Sequence, residues 1–205
     1  MENFSICIAT SNAHKISEFQ QMFRAEGLHC NVFGVNQLAG FVAPEENGTT
    51  FAENAFIKAQ AAKDIAPSEA WVMADDSGIV VDALNGAPGI MSARYAGVSG
   101  ANADEANNAK LLQELVNVPD EKRTARFVCA LALIAPNGEK YLFEGKIEGT
   151  INHGAKGVRG FGYDPLFLLP ERNLTTAELS AEEKNAISHR GSAFKKLASF
   201  IKSTL

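Results

Sequence analysis

From Val72 to Gly78 the chain reads VMADDSG, an apolar run that ends in two adjacent carboxylates, a hydroxyl and a glycine. The run predicts a strand, with Asp75, Asp76 and Ser77 at its carboxyl end and Gly78 opening a turn. In a sheet covered by helices, ligands collect at that edge. Two hard oxygen ligands side by side repel each other unless a cation or a proton intervenes, so a magnesium site is one reading of the pair. A β-turn whose aspartates bond their own backbone is another.

The amino-terminal FSICIAT reads as a short buried strand and TSN as a turn. Ala13 to Glu26 follows as a helix ending at Gly27, with Ile16, Phe19 and Phe23 as its apolar stripe. A strand, turn and helix in this order aim the unpaired N–H groups of the first helical turn outward. Thr10, Ser11 and Asn12 add hydroxyl and amide groups and Lys15 a cation, so the segment can cradle an anion. Ser or Asn before a helix is equally an ordinary N-cap, and no GxxxxGK[ST] pattern marks a P-loop. In PEENGTTFAENAFIKAQAAK, a loop with Glu45 and Glu46 precedes a capping box, Thr50 to Glu53, that opens a helix. Asn54 and Lys58 lie one turn apart on it, where they can face a phosphate together or simply form a solvated face.

With 205 residues, 46% of them hydrophobic, the chain can bury one sizeable core, and a single domain over 1–205 is expected. No apolar run approaches the roughly twenty residues of a membrane helix, and MENFSICIAT lacks the basic region of a signal peptide. A cytoplasmic protein without a membrane partner is therefore expected. Cys7 and Cys129 fall inside apolar strands and Cys30 has no paired spacing, so all three read as buried thiols. A net charge of −5 argues against wrapping a nucleic-acid polymer, which rests on an excess of Lys and Arg along one face. The basic residues stand singly among glycine loops, which suits a small anion in a pocket and also suits solvated cations.

Ile79 to Leu84 reads as a further strand and NGAPGIMSARYAG as a loop carrying Arg94 and Tyr95. A helix is expected from Asn102 to Val116, with Leu111, Leu112 and Leu115 inward. Arg126 to Ala135 and Tyr141 to Ile151 form a hairpin about Pro136-Asn137-Gly138, expected to project from the main sheet. NHGAKGVRGFGYDP is a glycine-rich loop that offers aromatic faces. SAEEKNAISHRG starts with a capping box, Ser180 to Glu183, and is expected to end at Gly191 with His189 and Arg190 in the last turn. A closing helix puts Phe194, Leu197 and Ile201 inward and Lys195 and Lys196 outward.

The ordered series TSNAHK, TFAENAFIKA, ADDSG, APGIMSARYAG, GFGYDPLF and SHRG, spanning Ile6 to Gly191, resembles the inosine triphosphate pyrophosphatase family. The resemblance implies a mixed α/β fold: an elongated central sheet flanked by helices, two lobes with a central substrate cleft, and assembly as a homodimer. It also implies Mg²⁺-dependent hydrolysis of ITP, dITP and XTP to a nucleoside monophosphate and pyrophosphate, clearing deaminated purines from the nucleotide pool. The phosphate-binding turn corresponds to Thr10, Ser11, Asn12, Ala13, His14 and Lys15. Glu45 and Asp76 match the metal ligands and Asp76 the catalytic aspartate. Asp75 matches an acidic position read as a second metal ligand or an orienting group, and Ser77 matches a substrate contact. Phe161, Gly162, Tyr163, Asp164, Lys184, His189 and Arg190 match the remainder of the nucleotide site. The family turn usually reads TGN, so Ser11 is a departure that bears on phosphate approach and on any positive φ.

Chemistry fits those assignments. Carboxylate-held Mg²⁺ offsets phosphate charge and lowers the pKa of water, Asp76 can accept the proton, and Lys15 with the helix terminus can stabilise departing pyrophosphate. Phe161 offers a stacking face, and donors near His189 and Arg190 can bond a 6-keto oxygen that a 6-amino base lacks. Rival readings are a non-catalytic nucleotide sensor, a general phosphatase releasing orthophosphate, and a Maf-like nucleotide pyrophosphatase. The intact set of Glu45, Asp75 and Asp76 argues against the first, and GFGYDP with SHRG against the last.

Overall fold

Residue alternation along neighbouring strands decides where the helices of this protein pack. The computed structural model describes residues 4–204. In chain order these form β1 (Phe4–Ile8), α1 (Ala13–Ala25), β2 (Cys30–Gly34), α2 (Phe51–Lys63) and β3 (Trp71–Val81). After them come α3 (Ala103–Glu114), β4 (Thr124–Ile134), β5 (Lys140–Ile151), β6 (Phe167–Leu169), β7 (Leu174–Thr175), α4 (Ala181–Ile187) and α5 (His189–Thr204). The strands make one mixed, seven-stranded sheet in the order β2-β1-β3-β4-β5-β6-β7, the helix-flanked α/β class expected from the sequence. β1 runs parallel to both β2 and β3, whereas β6 is antiparallel to β5 and β7. By contacts the chain forms two compact units, one holding the described residues to Asp76 with Cys129–Gly145 and those from Gly191, the other Ser77–Val128 and Lys146–Arg190.

In the first unit, side chains on one face of β1, β3 and β4 are large: Ile6, Ile8, Trp71, Met73, Leu131 and Leu133 pack with Phe19 and Phe23 of α1 and with Phe194, Leu197 and Ile201 of α5. The intervening residues are small, namely Cys7, Ala9, Val72, Ala74, Ala130 and Ala132, and they meet Ala55, Ala59 and Ala62 of α2. The period of two follows from the pleat, and small residues on both partners let α2 lie close against the sheet. Each large side chain taken out of water contributes about 1.5–3 kcal/mol. Helix α1 starts at the Asn12 cap and closes before Gly27, whose φ of 68° is the left-handed stop that glycine supplies without strain.

In the second unit, Ile79 and Val81 of β3 and Phe127 of β4 join Leu111 and Leu115 of α3 and Tyr163, Leu166 and Phe167 in a separate core. Gly149 of β5 is required where it stands, because a Cβ there would lie 2.6 Å from the Leu168 carbonyl oxygen across the β5–β6 ladder.

Three expectations are corrected. β3 does not turn at Gly78: it runs on to Val81, so Asp75, Asp76 and Ser77 sit mid-strand, and Ile79 and Val81 belong to the same strand. Burying those two side chains outweighs the roughly 0.5–1 kcal/mol that a glycine costs inside a strand. The β4–β5 hairpin is not set apart from the main sheet, since β5 stands between β4 and β6 in the strand order and bonds β6 through Thr150 and Ile151. His189 and Arg190 do not close α4. Ser188 is extended, with φ −66° and ψ 161°, so α4 stops at Ile187 and the pair heads α5.

Candidate active site

Adjacent residues of a strand point to opposite faces, and this separates the two aspartates. Asp75 shares the face of Met73 and Cys129, while Asp76 shares that of Ala74, under α2. The Asp75 side chain is fully buried. Its Oδ2 lies 2.6 Å from Lys15 Nζ, and its Oδ1 accepts a hydrogen bond from the Cys129 thiol at 3.3 Å. Asp76 Oδ1 lies 2.5 Å from Lys58 Nζ, and Glu46 Oε1 approaches the same ammonium at 3.7 Å. Burial pushes the Asp76 carboxyl above the usual aspartate value, more than the Lys58 ammonium pulls it down, with Glu46 and Asp75 adding to the rise. It is a stronger base than an exposed aspartate.

The loop with Glu45 and Glu46 is tied to α2. Asn54 Oδ1 accepts the Gly48 N–H at 2.9 Å, and the Glu53 carboxylate accepts the Thr49 N–H and hydroxyl at 2.6 and 2.8 Å. Thr50 caps α2 through the Glu53 N–H, so half of the expected box forms while Glu53 reaches back to Thr49. Gly48 has no room for a side chain, since a Cβ would stand 2.6 Å from Asn54 Oδ1. Glu45 itself is exposed.

At the head of α1, Asn12 Oδ1 accepts the N–H groups of His14 and Lys15 at 2.9 and 3.2 Å, and Thr10 Oγ1 accepts that of Asn12 at 3.1 Å. The cap thus occupies donors that an anion would use. Ser11, Ala13 and His14 are exposed. Among the described residues, the non-glycine positions with positive φ are Asn85 and Asn173, so Ser11 carries no such strain and its side chain is compatible with this turn.

In the second unit, Asp164 organises the GFGYDP loop. Its Oδ2 accepts the Phe161 N–H at 2.9 Å and pairs with Lys184 Nζ at 2.6 Å, while Oδ1 accepts the Thr176 hydroxyl at 2.8 Å. Gly160, at φ 77°, makes room, because a Cβ would fall 2.1 Å from Asp164 Oδ2. The Phe161 ring has Lys184 Nζ 5.2 Å and the Arg190 guanidinium 5.6 Å from its centroid. His189 stacks on Phe127 with ring centroids 4.9 Å apart. Tyr163 is a buried anchor that donates its hydroxyl to the Ser92 carbonyl at 2.8 Å, and burial drives its pKa upward. Asp104 and Asn108 of α3 bond the backbone of Gly162, and the neighbouring Asn107 holds the SARYAG loop through the Ala96 N–H at 2.7 Å.

The structure thus brings Lys15 to Asp75 and joins Phe161, Asp164, Lys184 and Arg190. Ser77 follows Asp76 on β3, partly buried. Lys58, read in the sequence as a residue that can face a phosphate with Asn54, and Glu46 of the acidic loop meet each other, with Lys58 also on Asp76. Cys129, Asp104, Asn108 and Thr176 join these sites from outside the sequence-derived set, through contacts between distant stretches that no local pattern reports.

The Ham1 family profile matches residues 6–200. The chain belongs to the Ham1 family. Relatives of this Ham1 chain include a dITP/XTP pyrophosphatase of Clostridium perfringens, 46% identical over 97% of both chains, and one of Exiguobacterium sibiricum, 51% identical over 94% of both. The solved structure of the Staphylococcus aureus Ham1 protein is similar with a TM-score of 0.84 at 42% identity, covering 98% of this chain and 100% of that one. As a Ham1 chain it carries both clusters within the matched span.

Among the described residues, no three His, Cys, Asp or Glu side chains are grouped to hold a metal. The donor chemistry nevertheless suits Mg²⁺, because Asp76 and Glu46 direct carboxylate oxygens at one shared cation, the Lys58 ammonium. Mg²⁺ commonly uses only one or two protein carboxylates and completes its octahedron with waters and substrate phosphates.

Proposed function

We propose that this Ham1-family enzyme hydrolyses the deaminated purine nucleoside triphosphates ITP, dITP and XTP to the nucleoside monophosphate and pyrophosphate. The reading is supported by relatives named dITP/XTP pyrophosphatases. The observation that carries it in this molecule is Asp76, a buried carboxylate with a raised pKa held against Lys58. In this proposal Asp76 takes the proton of the attacking water. Lys15 and Lys58, with the turn of Thr10, Ser11, Asn12, Ala13 and His14 and the positive end of the α1 dipole behind it, meet the phosphates and stabilise charge on departing pyrophosphate. Asp76 with Glu45 or Glu46 would hold Mg²⁺, which when bound offsets phosphate charge and makes water more acidic. Phe161 stacks on the base, Asp164 and Lys184 fix that ring, and His189 and Arg190 read the keto edge, with Ser77 as a further substrate contact. The proposal treats 1–205 as one ITPase-like domain acting as a homodimer in the cytoplasm.

The test is a panel of ITP, dITP, XTP, GTP and ATP with Mg²⁺, with and without chelator, scored separately for pyrophosphate and orthophosphate. Pyrophosphate from the deaminated substrates, abolished by chelator, is expected. Orthophosphate as the product, or ATP turned over as fast as ITP, would defeat the reading.

A further inference from the structure

The peptide groups on both sides of Gly162 are held from outside their own loop by two side chains one turn apart on α3. Asp104 Oδ2 accepts the Gly162 N–H at 2.7 Å, and Asn108 Nδ2 donates to the Gly162 carbonyl at 2.9 Å. Gly162 has φ 62°, a conformation that L side chains rarely adopt and that a free glycine would share with many others. Bonding the peptide planes on both sides of it removes that freedom. The loop's own bonds complete the restraint, since the Phe161 N–H goes to Asp164 Oδ2 at 2.9 Å and its carbonyl accepts the Asp164 N–H at 3.3 Å. Every backbone polar group of Phe161 and Gly162 therefore has a partner.

One detail argues that the Asn108 bond serves position rather than stability. Asn108 Oδ1 is buried without a hydrogen-bond partner, which is a cost. A leucine of similar size would avoid that cost but could not hold the Gly162 carbonyl. We infer that Asp104 and Asn108 are positioning residues for base recognition, clamping Gly162 so that the Phe161 ring is fixed at the angle required to stack on the purine. The inference deepens the proposed function and rests on Phe161 being the stacking face.

The experiment compares wild type with Asn108→Leu, Asp104→Ala and Asp104→Asn, each checked by thermal melting. Asn108→Leu should melt close to the wild-type temperature, the lost bond to the Gly162 carbonyl being offset by removal of the unpartnered Oδ1, yet raise KM for ITP and ATP alike by about tenfold, within what base stacking is worth, with kcat little changed. The inhibition constant of inorganic tripolyphosphate, which has no base, should stay within about twofold of wild type. Asp104→Ala should behave like Asn108→Leu in KM, and Asp104→Asn, which keeps an acceptor oxygen, should restore wild-type KM. An unchanged KM in the first two variants overturns the inference. So does a tripolyphosphate constant that rises with KM, or an Asp104→Asn variant as impaired as Asp104→Ala. Absence of turnover by wild type would defeat the enzymatic reading alone. The clamp is then judged by calorimetry with IMP, where about tenfold weaker binding by Asn108→Leu upholds it and equal binding overturns it.

Discussion

Asp75 and Asp76 are consecutive, yet they face opposite sides of β3 and hold different lysines, Lys15 at 2.6 Å and Lys58 at 2.5 Å. The sequence suggests two like charges crowded at one edge. The pleat instead gives each its own helix and its own cation. Asp75, fully buried and bonded by a thiol, fits an orienting role, whereas Asp76 keeps access to the loop of Glu45 and Glu46.

Replacing Asp76 by Asn keeps its shape and removes most of its basicity. General base catalysis contributes on the order of a hundredfold to ten-thousandfold, and turnover should fall by at least that much. The melting temperature should hold or rise, because burial disfavours the charged form. Pyrophosphate release at saturating Mg²⁺ checks this, and near wild-type turnover would remove Asp76 as the base.

Lys15→Ala leaves Asp75 buried with its countercharge gone. Breaking a buried pair from one side costs about 3–5 kcal/mol, and the lower end applies because Lys15 keeps 18% of its side-chain exposure. Adding Asp75→Asn should recover much of that loss. Denaturant melts of the single and double variants measure both quantities; equal stability of Lys15→Ala and wild type would mean that the pair contributes nothing.

Phe161→Ala should weaken ITP, XTP and ATP by similar amounts, roughly 1–3 kcal/mol, because stacking is insensitive to exocyclic groups. Arg190→Ala should instead lower ITP and XTP turnover more than ATP turnover. An equal loss for all three after Arg190→Ala would move the guanidinium from the base to the phosphates.

Burial pushes the Cys7 and Cys30 thiols up to about 11 from 9.0. A raised thiol pKa means the folded state holds its protons more tightly. The associated stability is complete below pH 9 and is lost as pH climbs toward 11. At pH 8 on the order of one Cys7 or Cys30 in a thousand is thiolate, so alkylation of either in the native protein should be slow. Peptide mapping after iodoacetamide treatment tests it, and Cys30 labelling as fast as a free cysteine would contradict it.

Where burial and period coincide, the fold was legible. FSICI, the β4–β5 strands and the α1 stripe of Phe19 and Phe23 fall within a residue or two of their predicted places. Gly78 misled because a glycine reads as punctuation, whereas here the buried Ile79 and Val81 carry the strand past it. Ser188 misled in the opposite direction, since nothing in AISHRG breaks a helical pattern; the available signal was a serine standing where an N-cap stands. The proposed site was legible as a set of motifs but not as a set of pairings. Which lysine meets which aspartate depends on the faces of β3, and the grip of Asp104 and Asn108 on Gly162 joins residues more than fifty positions apart.

The lysine pairs also bear on how a substrate arrives. Lys15 is matched by Asp75, and Lys58 by Asp76 with Glu46 close by, so the local charge sums to zero or below in a chain of net charge −5. Such a surface exerts little long-range pull on a polyanion, and association should depend only weakly on ionic strength. Under the proposed function, the encounter would then favour a triphosphate whose charge a divalent cation has already reduced.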